Sequence, residues 1–230
     1  GKILKEMDPI YESLIWSKTK EDLFVAEKTY IQKIKEWKIE SLFRKAKLFY
    51  RSQWPDRLKF TIALYPIPRE ARHSNAHSLG AFESVGVIIG EKDIAGRFGV
   101  IFHEMMHSLY QAQDIKFKRE LNSWFQLSEQ NQELAFRFGA QKLCNEMFAT
   151  ILGNGWAYEQ ITGALDKSSW YSENHIESMA RAMYEKTKSY LNSDRPLDLE
   201  YVQDSIKKFQ ELFPGYPDSG DYLFSDLSIY

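Results

Sequence analysis

The spacing of apolar residues changes period along this chain, and nothing else in the sequence constrains its fold as strongly. From Pro9 to Arg51 apolar side chains recur at three- and four-residue steps: Leu23, Ala26, Tyr30, Ile34 and Trp37, then Leu42, Ala46 and Phe49. Such steps line one face of a helix, so this stretch reads as two or three helices with lysines on the wet side. From Arg57 to Ile67 the step drops to two. Leu58, Phe60, Ile62 and Leu64 alternate with Lys59, Thr61 and Ala63, which predicts a strand that Pro66 and Pro68 end. Residues 69–79 read as a loop and Gly80–Gly90 as a second strand. Helical spacing then returns. Asp93 is placed to cap a helix from Ile94 to about Gln113. Further helices are expected from Ser128 to Gly153, stopped by Gly153-Asn154-Gly155, then from Ser172 to Leu191 and from Leu197 to Phe213. The turn-rich tail ends in apolar residues and is expected to dock on the body. The pattern predicts an α+β fold, mostly helical, with a small mixed sheet. Residues 1–56 form an N-terminal helical layer packed on a domain of residues 57–230.

With 43% hydrophobic and 15% aromatic residues in 230, the chain is neither disordered nor fibrous. Lys and Arg total 30 against 32 Asp and Glu, and a formal net charge of −2 argues against nucleic acid as a partner. No apolar run approaches the roughly 18 residues that would cross a bilayer, so no membrane span is expected. One cysteine, Cys144, excludes an internal disulfide framework, zinc fingers and iron–sulfur clusters, and reads as a small core residue. Any metal must therefore be held by histidine and carboxylate. The sequence opens on Gly1, read as a remnant of tag removal. Had a signal peptide been trimmed with the native N-terminus, the protein would be secreted or periplasmic; compartment and oligomeric state are otherwise left open.

Two of the five histidines, His103 and His107, stand four apart in the apolar, helix-compatible segment GVIFHEMMHSLY. That spacing stacks both imidazoles on one helix face, where they can share a metal, and zinc suits them best. Glu104 is rotated by about 100° from His103. It is poorly placed to be a ligand but well placed to act as a general base on a water at the metal. A catalytic zinc site needs a third protein ligand. Glu146, in Asn145-Glu146-Met147-Phe148-Ala149 on the next long helical segment, is one candidate. Asp114, seven residues past His107, is another, as are Glu129 and Glu133. Tyr110 and Gln113 occupy the positions where a metzincin has Gly and His, which excludes that class. His73 and His77 share the four-residue spacing but have no apolar helix around them, and read as loop histidines.

HExxH followed by Asn-Glu-x-x-Ala on a second helix resembles the gluzincin, or thermolysin-like, clan of zinc metallopeptidases. The resemblance covers about residues 80–155. It implies a zincin-like core in residues 57–230, one Zn2+ held by His103, His107 and Glu146, and Glu104 as the base that activates water for attack on a peptide carbonyl. The family often places an Asp four residues after the ligand Glu, behind a ligand His; here that position is Thr150. Gluzincins often use a downstream Tyr or His to stabilise the oxyanion. His175 is the favoured candidate, beside Tyr171, Tyr158 and Tyr184. The Gly80–Gly90 strand, with small Gly80, Ala81, Ser84 and Gly86, is expected to be the edge on which extended substrate pairs. Trp124, Trp156 and Trp170 are core residues or cleft walls. The expected activity is zinc-dependent hydrolysis of a peptide or protein substrate. The rival readings are a zinc-binding scaffold without activity and a zinc hydrolase acting on a non-peptide amide.

Overall fold

Helix prevails because most apolar side chains fall on helical faces that bury one another, and the strands form where that spacing fails. The computed structural model describes residues 2–67, 76–88, 90, 93–126 and 134–219. The expected N-terminal helices are α1 Lys2–Tyr11, which passes through a π-helical turn at Glu12–Trp16 into α2 Ser17–Glu36, and α3 Ile39–Phe49. Lys38, at φ 53°, makes the break before α3. Leu23 and Tyr30 face inward from α2, whereas Ile3, Met7 and Leu14 are exposed. Helix α3 enters the body: Ala46, Phe49 and Tyr50 are buried, and the Leu197 amide donates to the Phe49 carbonyl at 2.8 Å.

Among the described residues three strands make one mixed sheet. β1 Thr61–Ile67 runs parallel to β3 Phe82–Ile88, and β2 Ala76–Leu79 pairs antiparallel on the other side of β3. β1 starts at Thr61 rather than Arg57, and Pro66 lies inside it, opposite Val87. Proline is tolerated there because β1 is a sheet edge, where one side of the backbone needs no ladder partner. Residues 76–79, expected in a loop, are a strand. Four residues are too few to show alternation, and their conformation comes from pairing with β3 through a turn at Gly80, φ 58°. The Gly80–Gly90 segment is therefore the central strand and not an edge; β1 and β2 are the edges.

α4 Ile94–Gln111 is capped as expected: the Asp93 carboxylate accepts from the Gly96 amide at 2.8 Å. It buries Phe98, Ile101, Phe102, Met105, Met106 and Leu109, so it is wrapped on several sides. α5 Ile115–Gln126 was not anticipated, although Phe117, Leu121, Trp124 and Phe125 are spaced for one buried face. Asp114 opens it by accepting from the Lys116 amide at 2.8 Å, which is a capping role.

α6 Leu134–Thr150 continues through a π-helical turn at Ile151–Ala157 into α7 Tyr158–Thr162. The expected stop at Gly153-Asn154-Gly155 does not occur. A Cβ on Gly153 would lie 2.6 Å from both the Gly99 carbonyl oxygen and the His103 nitrogen. Gly153 is thus glycine because two helices cross at backbone contact. The chain turns instead at Gly163, φ 77°. α8 Asn174–Asn192 and α9 Leu199–Leu212 lie within a few residues of expectation, capped by Glu173 and Asp198. A short α10, Tyr216–Ser219, follows, and the tail beyond it lies outside the described residues. No helix among the described residues is long and apolar enough to cross a membrane.

Candidate metal centre

The crossing of α4 with α6 and its π turn creates the site. Burial of its apolar residues fixes α4 about its axis and leaves His103 and His107 facing α6, while Glu146 comes from near the C-terminal end of α6, just before the π turn. His103 Nε2 and His107 Nε2 are 3.2 Å apart; the Glu146 carboxylate stands 3.5 Å from the first and 3.3 Å from the second. Among the described residues this is the one group of three such side chains able to hold a metal.

The far side of each ring is also held. Asn154 Oδ1 lies 3.1 Å from His103 Nδ1, and Asn145 Oδ1 lies 3.2 Å from His107 Nδ1. A neutral imidazole donates from one nitrogen and accepts at the other. With amide oxygens toward both Nδ1 atoms, neutral rings carry their protons there and turn both Nε2 lone pairs toward the carboxylate. Three acceptors facing one another need a cation between them. Burial by itself would raise the Glu146 carboxyl; when protons on the two Nε2 atoms supply that cation, the hydrogen bond from His103, the charge on both rings and the Tyr171 hydroxyl outweigh burial and hold Glu146 below its ordinary value.

The π turn explains why Asn154 arrives here. Eight α-helical steps from Glu146 would leave it about 80° round the helix. Steps of about 80° through the π turn bring it back to the Glu146 face. Thr150, at the position where the resembling family often has Asp behind a ligand histidine, does not reach one: it is fully buried and its hydroxyl has no hydrogen-bond partner among the described residues. Sequence reasoning missed Asn154 because Gly-Asn-Gly resembles a helix stop. Asn154→Ala should lower metal affinity about 10- to 100-fold with little change in fold, which a competitive metal titration with circular dichroism would measure.

The triad lies at the base of an open cleft of about 840 Å3. β2 forms one wall through Ala76, His77 and Ser78, Glu104 lines the floor beside the triad, and Trp170 and Tyr171 lie on the opposite wall. Tyr171 stacks on His103 with ring centroids 5.9 Å apart and planes 13° from parallel. Its hydroxyl donates to Glu146; burial, then the Glu146 charge and that hydrogen bond, push it up to about 12.

The other expected residues are placed elsewhere. His175 does not join the triad: its Nδ1 is 2.8 Å from Glu173, and its ring packs against Phe213 and Tyr216. Tyr184 donates to Glu159 at 2.6 Å, and Tyr158 is not on the cleft wall. Of the four oxyanion candidates, Tyr171 is the one at the site. Asp114 caps α5, Trp124 and Trp156 are core residues, and Cys144 is buried with its thiol pushed up by desolvation. His73, Glu129 and Glu133 lie outside the described residues. No family model, curated protein or solved structure matches the chain.

Proposed function

We propose that the protein is a zinc-dependent hydrolase, a metallopeptidase of gluzincin type built on a zincin-like core. The convergence of His103, His107 and Glu146 is the observation that carries this reading. Nitrogen and oxygen ligands about 2.0–2.1 Å from a tetrahedral zinc ion stand about 3.3–3.4 Å from one another. The two Nε2 atoms stand 3.2 Å apart and the two Glu146 oxygens stand 3.5 Å from His103 Nε2 and 3.3 Å from His107 Nε2, close to that size, and one ligand atom from each residue lies within 4.8 Å of the others. Three protein ligands, the fourth direction open to a wide cleft and a carboxylate beside them make the arrangement of a catalytic rather than a structural zinc site.

Bound zinc supplies Lewis-acid polarisation of a carbonyl and makes a water acidic near neutral pH. The chain supplies the rest. Glu104 would be the base, its carboxylate taking a proton from the attacking water and returning it to the leaving amine. Tyr171, which donates to Glu146 in this arrangement, is the hydroxyl on the cleft wall that would turn its proton to the oxyanion. β2 leaves one side of its backbone unpaired along the cleft, so an extended peptide fits there as a fourth strand. Tyr171→Phe should lower kcat about 100-fold while zinc stays bound; steady-state kinetics with metal analysis would show it.

The test is digestion of a quenched fluorescent peptide library by purified protein. The reading requires cleavage that a chelator abolishes and added zinc restores. Zinc binding without cleavage would favour a scaffold, and cleavage confined to non-peptide amides would move the substrate class.

A further inference from the structure

The cleft wall that carries Tyr171 is a loop without regular structure, between Gly163 and Glu173, and two side chains of α8 hold it from behind. Glu177 and Arg181 stand four residues apart on that helix and so share a face. One oxygen of Glu177, Oε2, accepts from the Trp170 amide at 2.8 Å and from the Tyr171 amide at 2.9 Å. The other, Oε1, accepts from Arg181 Nε at 2.8 Å. The Arg181 guanidinium also reaches the loop directly. It donates to the Asp166 carbonyl at 3.1 Å and to the Ser168 carbonyl, and its Cζ lies 4.1 Å from the centroid of the Trp170 ring. Trp170 is buried, and its indole N–H donates to the Asp166 carbonyl at 3.1 Å. Loops are ordinarily the mobile parts of a surface. Here a carboxylate backed by a guanidinium fixes two consecutive amides, and the second belongs to the residue whose ring stacks on His103.

We infer that Glu177, with Arg181 behind it, is a positioning residue that presets Tyr171 on the cleft wall before substrate arrives. A carboxylate that accepts from both amides fixes the peptide planes before Trp170 and before Tyr171. It thereby sets the direction in which the tyrosine leaves the backbone, and the stack on His103 sets the ring. An oxyanion donor displaced by about 1 Å loses much of its effect, so a preset backbone matters to the rate more than to the fold. Neither Glu177 nor Arg181 lines the cleft, so both act through Tyr171 and not on substrate. The inference rests on the zinc hydrolase reading and on Tyr171 as the donor to the oxyanion.

Two measurements test it. The first needs neither zinc nor substrate: backbone amide hydrogen exchange, followed by NMR, in wild type and Glu177→Ala. The Trp170 and Tyr171 amides should be protected in wild type and exchange about tenfold faster or more in the variant, while amides in the middle of α8 keep their protection. The second is a double-mutant cycle on one quenched fluorescent peptide that wild type cleaves, with zinc content measured alongside. Glu177→Ala should lower kcat about tenfold at unchanged KM and zinc content, yet add less than about twofold to the loss in Tyr171→Phe. Glu177→Gln, which keeps an acceptor for the two amides, should stay within about threefold of wild type. Arg181→Ala should show the same dependence on Tyr171 and serves if Glu177→Ala fails to fold. Unprotected amides in wild type, wild-type kcat in Glu177→Ala, or equal losses on the wild-type and Tyr171→Phe backgrounds would overturn the role of Glu177 and leave the hydrolase reading intact. A wild-type protein that neither retains zinc nor cleaves peptide would overturn the hydrolase reading and the inference built on it.

Discussion

Glu104→Gln is expected to abolish peptide hydrolysis, by about a thousandfold or more in kcat/KM, while zinc binding and fold are retained. Glu104 is outside the converging triad of His103, His107 and Glu146, so its replacement removes no ligand. Gln has the same size and still accepts a hydrogen bond from water, but it cannot take the proton. The loss therefore falls on the transition state, worth about 4 kcal/mol for a thousandfold. Kinetics with metal analysis on the same preparation separates this from damage to the site. A loss below tenfold with zinc in place would mean that Glu104 is not the base.

Glu83, buried on β3, gives the second large effect, on stability. Its carboxyl has an ordinary value of 4.5 and is pushed up to about 8 by burial and then by Glu104. The folded state therefore holds the proton more tightly than the unfolded chain. The stabilisation this gives is complete below about pH 4.5 and is lost as pH rises through about 8. At about 1.4 kcal/mol for each pH unit, the loss is of order 3–5 kcal/mol across that window. Glu83→Gln removes the titration. Urea unfolding of zinc-free protein at pH 5 and pH 8 should show wild type losing several kcal/mol more than Glu83→Gln between the two. Equal losses would mean that Glu83 titrates normally.

The site was legible where one helix determines it. The four-residue step from His103 to His107 puts two candidate ligands on one helix face without any tertiary knowledge, and Asp93 announces the start of their helix. Glu146 needed the packing of α6 on α4, which the family resemblance anticipated and periodicity alone did not. Asn154 was hidden because glycines at a helix crossing and glycines at a helix end look alike in sequence; only the contact of Gly153 with the α4 backbone distinguishes them. Choosing Tyr171 over His175 depended on the path of the loop between Gly163 and Glu173, which carries no periodic signal. Glu83 could have been found as a buried acid, since it shares parity with Val85 and Val87 along β3 and so had to face inward.

The most direct measurement is the zinc content of purified wild-type protein against His103→Ala and Glu146→Gln, after dialysis against a weak chelator. One ion per wild-type chain, with affinity reduced at least a hundredfold in both variants, is the expected outcome. A wild-type chain that binds no zinc, or variants that hold it as tightly, would contradict a zinc centre built from His103, His107 and Glu146.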